Sequence, residues 1–237
     1  MRTSTDRILT THVGSLPRSQ AVTDVLFGRE HGTITDPKAA AQVIAEATVE
    51  VVKRQVAAGV DVVSDGEMSK ISYATYVADR FTGFAGDSPR RPGQDLLEFP
   101  RLMERLARLG STAQYRRPNC VGEIRTKTLE PIQEDLRNFK RGVDAGKPAD
   151  AFLNAASPGV IAIFQPNEYY KTLDEYLEAA AEALRVDDCA VFAAEQHVRH
   201  RLRARQTTDV CGEDAVGAGT HQSAPLNGTC CSKCGRP

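Results

Sequence analysis

Thr10-Thr11-His12-Val13-Gly14-Ser15-Leu16-Pro17-Arg18 and, some fifty residues on, Gly59-Val60-Asp61-Val62-Val63-Ser64-Asp65-Gly66-Glu67-Met68-Ser69-Lys70 decide the fold. Each reads as a short apolar strand that ends in glycine and polar groups. A parallel α/β protein buries the sides of its strands and collects chemistry at their carboxyl ends. Between the two stretches, Asp36-Pro37 is a helix start: an aspartate cap, then proline at the first helical position. Val43, Ala47 and Val51 recur every four residues as one buried stripe, and Gly59 ends the helix. Strand, helix and strand on short links make a βαβ unit, hence parallel pairing. The two strand ends, with His12, Ser15, Asp65 and Glu67, predict a pocket for a small polar molecule.

The same alternation continues outward. Residues 81–99 are rich in glycine, proline and aspartate and predict an excursion from the sheet. A helix is expected over 97–109, with Leu102, Leu106 and Leu109 on one side, then a strand at Cys120–Ile124. Pro131 opens a helix through Leu136 and Phe139, and Ala151–Asn154 is a further strand that turns at Ser157-Pro158-Gly159. Thr172-Leu173-Asp174-Glu175 is a capping box ahead of the stripe Tyr176, Ala180 and Leu184. After about Arg185 the pattern changes. The basic run His197–Arg205 reads as a solvated helix face, and 206–237 as an irregular tail. The expected division is a 1–185 (β/α) domain and a divergent 186–237 tail.

Bulk properties bound the function. Of 237 residues, 41% are hydrophobic and 26% charged, as in ordinary globular proteins, and the net charge of −1 argues against nucleic acid as a partner. No run is long enough to cross a bilayer, and the opening residues carry no secretory leader, so a cytoplasmic protein with no membrane partner is expected. Only Cys120 of six cysteines lies in the first 188 residues, so the body reads as reduced, with Cys120 as apolar filler. Cys231 and Cys234 have the C-x-x-C spacing of zinc sites, but one pair in an irregular tail is a weak signal. The first strand lacks a GxGxxG turn, which argues against a dinucleotide fold.

The two opening motifs, with Ala156-Ser157-Pro158-Gly159-Val160-Ile161 and Tyr169-Tyr170, resemble the cobalamin-independent methionine synthase family, in its shorter single-barrel form, over roughly residues 8–185. The resemblance implies a TIM (β/α)8-type barrel. About 185 patterned residues fall short of the roughly 250 that such a barrel takes, so an incomplete one is expected, with about the first five βα units and an irregular tail. It further implies zinc as cofactor, a thiol acceptor such as homocysteine, a folate-type methyl donor, and methyl transfer in methionine biosynthesis. By the same resemblance, Val13, Gly14 and Ser15 hold the amino-acid part of the substrate and Glu67 its ammonium, while Phe164 lies near the folate. His12 and Asp65 join them as binding candidates from their strand-end positions. The family's His-x-Cys zinc motif is not found. The alternatives are an inactive truncated member, a coenzyme M-type thiol alkyltransferase, or a decarboxylase-type barrel relative. A truncated barrel leaves open sheet edges, which predicts self-association.

Overall fold

The computed structural model describes residues 4–72, 74–88, 97–109, 117–194 and 199–200. In chain order the elements are α1 (Gln20–Glu30), α2 (Pro37–Ala57), β1 (Val62–Val63), α3 (Val77–Arg80), β2 (Phe84–Ala85) and α4 (Pro100–Leu109). They continue as β3 (Asn119–Cys120), α5 (Glu130–Gly146), β4 (Asp150–Leu153), α6 (Pro158–Phe164), α7 (Leu173–Ala194) and β5 (Arg199–His200). One sheet runs β1-β4-β5 with both pairings parallel. The opening segment joins it on the β1 side through a parallel bridge of Thr11 to Val62. Helices lie between every two of these parallel segments, which is the α/β alternation that the sequence predicts.

The helix caps follow the side chains. Asp36 accepts hydrogen bonds from the Lys38 and Ala39 amides, each at 3.0 Å, and Pro37 follows at the first helical position. Gly59 takes a left-handed φ of 81° just after the end of α2. Thr172 accepts from the Glu175 amide at 3.1 Å, while Glu175 reaches back to the amide of Lys171 at 3.0 Å. Tyr176, Ala180 and Leu184 are buried in α7, as the periodicity predicts.

Several expectations are corrected. The short strand expected at the head of the first motif shrinks to the single bridge at Thr11, because its edge is bound by side chains. Asp61 takes the guanidinium of Arg7 and, at 2.9 Å, the amide of Thr10, and Ile8 and Val13 face outward. The strand expected at Cys120–Ile124 is β3, which pairs antiparallel with β2 and stands outside the parallel sheet. Among the described residues the parallel sheet holds three strands and one bridged segment. The turn at Ser157-Pro158-Gly159 is the start of α6, with Ser157 capping the Val160 amide at 3.3 Å. The buried stripe of α2 centres on Ile44, Thr48, Val51, Val52 and Gln55, so Val43 and Ala47 sit at its border. Leu102 is exposed, and the side chains of Leu106 and Leu109 lie outside the described residues. Helix α7 continues through Arg185 to Ala194, and Arg199-His200 pair as a strand with Phe152 and Leu153 rather than forming a helix face. Residues 201–237, with Cys231 and Cys234, lie outside the described residues.

Two cores position the sheet. Val63, Ala151 and Leu153 pack against Val52 of α2 and Ile132, Leu136 and Phe139 of α5. A second cluster joins Val77, Phe81, Cys120, Ala156, Ile161 and Tyr176. Helices α2 and α5 touch closely because Gly142 lies between them: a Cβ there would meet Val52 Cγ2 at 3.0 Å and Thr48 O at 3.3 Å.

Candidate functional site

Three chain segments that run parallel end on the same side of the sheet, and each end brings one polar side chain to one place. Ser15 follows the bridged opening segment, Glu67 follows β1 and Asn154 follows β4. The Ser15 hydroxyl donates to Glu67 Oε2 at 2.5 Å, and Asn154 Nδ2 donates to Glu67 Oε1 at 3.4 Å. Ser15 is exposed, whereas Glu67 is 3% exposed. The opening motif is tied alongside by the Leu16 amide, which donates to Gly66 O at 3.1 Å.

The turn that presents Glu67 is unusual. Gly66 has φ 61° and Glu67 has φ 56°, two successive left-handed residues, the second bearing a side chain. A non-glycine residue there costs about 1–2 kcal/mol, and such a cost persists only where the surroundings enforce it. The enforcement is visible. The Glu67 amide donates to Asp65 Oδ1 at 3.1 Å, and the Gly66 amide to Ser64 Oγ at 3.3 Å. Arg18 Nη2 donates to Glu67 O at 2.9 Å and to Lys70 O at 2.8 Å, and reaches Ser15 Oγ at 3.4 Å. Burial pulls the Arg18 guanidinium below its usual range, while the charges of Glu67 and Asp65 oppose that. Behind the turn, Gln55 bridges both backbone groups of Ser64, at 2.8 and 3.0 Å.

Under the turn lies a buried charge cluster. Lys70 Nζ sits 3.1 Å from Asp65 Oδ2 and 3.4 Å from Asp135 Oδ2, with Lys70 and Asp65 side chains 3% and 4% exposed. Burial alone would lower the Lys70 ammonium, but Asp65 and Asp135 outweigh it and hold it above its ordinary value. The Tyr76 hydroxyl donates to Asp135 at 2.8 Å, and burial, then the Asp135 charge, push that phenol upward. Lys70, Tyr76 and Asp135 also form one wall of a cavity of about 690 Å³, whose rim carries Arg29, Glu30 and Asp79. Neither Ser15 nor Glu67 lines it.

The sequence-predicted residues are thus placed as follows. Ser15 and Glu67 meet. Asp65 lies beneath them, with both oxygens engaged by the turn and by Lys70. Gly14 has φ 104° and open space around it. Val13 points outward at 67% exposure. His12 is partly buried, and its Nε2 is buried without a hydrogen-bond partner. Phe164 ends α6, where its ring lies 5.5 Å under the Arg117 guanidinium and its carbonyl accepts from Arg117 at 3.3 Å. Sequence reasoning missed Asn154 and Arg18. Asn154 was readable as a third polar strand end, and Arg18 as a cation closing the first motif. Cys120 is fully buried, and burial pushes its thiol up, as filler requires.

A carboxylate fixed by two neutral donors, at the carboxyl ends of parallel strands, can accept a cationic group such as an ammonium. No three His, Cys, Asp or Glu side chains among the described residues are grouped to hold a metal ion. No helix among them is long and apolar enough to cross a membrane.

Comparison with known proteins agrees with this architecture. Residues 8–90 match the family described as "Cobalamin-independent synthase, Catalytic domain". Methionine synthase of Sulfurisphaera tokodaii is 25% identical over 210 residues, 82% of this chain and 56% of that protein. That of Saccharolobus solfataricus is 24% identical over 82% of this chain and 57% of its own length. The chain therefore spans a little over half the length of these relatives. A B12-independent methionine synthase from Shewanella sp. W3-18-1, solved in complex with selenomethionine, shares the fold with a TM-score of 0.56. The alignment is 16% identical and covers 81% of this chain and 50% of that one. A putative vitamin-B12 independent methionine synthase from Listeria monocytogenes gives a TM-score of 0.53 at 18% identity, over 81% and 52%. In its matched motifs, its curated relatives and its fold this chain is similar to the cobalamin-independent methionine synthases, the family match covering residues 8–90.

Proposed function

We propose that this chain binds the amino-acid part of a small zwitterion, with Glu67 taking its ammonium and the Val13–Ser15 backbone its carboxylate. Asp65 and His12 complete the surroundings, Asp65 by supporting the turn. The observation that carries this reading is the meeting of Ser15 and Glu67 across 52 positions of sequence, on a strained turn. It is supported by the Shewanella relative, whose structure holds selenomethionine, an α-amino acid. In the fuller reading the reaction is methionine-synthase-type methyl transfer: a folate donor near Phe164 gives its methyl group to a thiol, homocysteine in this family.

Zinc would supply an acidified thiol, since a bound thiolate is the nucleophile. The described residues do not fit such a site: His12 and Cys120 are not grouped with other ligands. What the chain's own residues do is bind and orient. The ammonium docks on Glu67, whose oxygens Ser15 and Asn154 hold in place. In the same reading, the open edge beside Ile8 and Val13 serves self-association. A cytoplasmic location belongs to it as well.

Isothermal titration with L-methionine and L-homocysteine tests the clamp. Glu67→Gln keeps the shape and removes the charge, so affinity should fall about tenfold to a hundredfold, the range of a charge-assisted hydrogen bond. Unchanged affinity removes Glu67 from the site.

A further inference from the structure

We propose that Arg18 is the positioning residue of this site: its guanidinium locks the left-handed turn that presents Glu67 and orients the Ser15 hydroxyl toward it. The inference rests on the reading of Glu67 as the ammonium-binding carboxylate, and it adds a residue outside the clamp itself.

The geometry points to Arg18 in three ways. First, one terminal nitrogen serves two carbonyls of the second motif, Glu67 O at 2.9 Å and Lys70 O at 2.8 Å. The first closes the left-handed pair Gly66–Glu67 and the second lies beyond it. Held on one nitrogen, they fix the exit of the turn and with it the peptide that follows Glu67. Secondly, the same nitrogen approaches Ser15 Oγ at 3.4 Å, and Ser15 donates onward to Glu67 Oε2 at 2.5 Å. Nη2 has two hydrogens, which the carbonyls at 2.8 and 2.9 Å take, so the 3.4 Å contact is a shared one, and the positive charge beside the serine oxygen turns the hydroxyl proton away from it, toward the carboxylate. The chain of donors therefore runs from Arg18 through Ser15 to Glu67. Thirdly, Arg18 belongs to the first motif and acts on the second. Together with the bond from the Leu16 amide to Gly66 O and that of Ser15 to Glu67, it ties the end of the first motif to the turn of the second, beyond the bonds that Thr10 and Thr11 make to the strand before it.

The stem of Arg18 is partly buried, so removing the head alone is the informative change. Arg18→Met keeps the stem and loses every donor. Arg18→Lys keeps a charged terminal nitrogen, one bond closer to the backbone, that points at the same acceptors. L-methionine binding should weaken about tenfold or more in Arg18→Met and return to within about threefold of wild type in Arg18→Lys. A ligand-free measurement accompanies it. Amide exchange at Glu67 and Lys70 should speed up about tenfold in Arg18→Met and not in Arg18→Lys, with the Val63 and Leu153 amides unchanged. A role in overall stability alone would move all four amides together. Should Arg18→Met not fold, Arg18→Gln, a shorter neutral donor, replaces it.

Unchanged exchange at Glu67 and Lys70 in Arg18→Met overturns the inference, as does equal impairment of the Met and Lys variants. If wild type binds neither amino acid but the exchange pattern holds, the amino-acid clamp fails while Arg18 keeps its hold on the turn. If Glu67→Gln weakens binding and Arg18→Met does not, the clamp stands and Arg18 is overturned.

Discussion

Lys70 is the residue on which the local energetics turn. Its ammonium faces two carboxylates, Asp65 and Asp135, in a space where Lys70 and Asp65 are almost wholly shielded from water. A buried pair is not in itself a large source of stability, since desolvation offsets much of the attraction. Removing one partner is different, because the other charges stay buried and unmatched. Lys70→Met should cost about 3–5 kcal/mol, read as a shift in the urea midpoint at constant slope. The effect should extend to the turn, because Asp65 uses its other oxygen to hold the Glu67 amide. A loss below about 1 kcal/mol would mean that the two aspartates find other partners or take up protons. Asp65, read from sequence as a binding candidate, is thus better described as part of the support. The distinction is not visible in the linear text, because Asp135, which completes the cluster, lies on α5, 59 positions beyond its other partner Tyr76.

At the scale of elements, α2 and α5 cover the β1–β4 pair, and their separation is set by Gly142. A larger residue at that point must push Val52 away from Val63, Ala151 and Leu153. Gly142→Leu should therefore destabilise the protein by about 1–3 kcal/mol or more, as overpacking does, and lower Tm in a thermal melt. A neutral result would show that the two helices slide apart freely. The same pair shows what sequence reading can and cannot see. The length and start of α2 were legible, because Asp36-Pro37 and Gly59 are local signals. Its buried face was off by one position, since α1 and α5 contact it from different sides and widen the apolar stripe. Helix α1 is not legible in the sequence: it buries only Val22 and Leu26 and has little periodic contrast, so the Ser19 cap is its one local signal. Strand β3 was taken for part of the main sheet because two residues of strand text carry no information on their partner. The strand ends were the readable part of the site. Ser15 and Glu67 stood out through their glycines, while Asn154 and Arg18 needed the third dimension.

At the scale of the whole molecule, the parallel sheet is bounded among the described residues by the segment around Thr11, where Ile8 is 84% and Val13 67% exposed. Exposed apolar positions beside an incompletely paired strand invite a second strand. Sedimentation velocity over a hundredfold range of concentration should show mass rising with concentration, and Val13→Lys should suppress that rise. A single species of constant mass would refute it.

The opening segment is held at two places far apart along its length. Arg7 and Thr10 are anchored to Asp61 below the strand, and Leu16 and Arg18 to Gly66 and Glu67 above it. A span pinned at both piers does not swing; it can only flex between them. The stretch from His12 to Gly14 is that midspan, and Gly14, with φ 104° and room for a Cβ that would meet nothing within 4 Å, is its natural joint. Any movement that accompanies occupancy would then be a local bowing of three residues, which leaves the rest of the frame still.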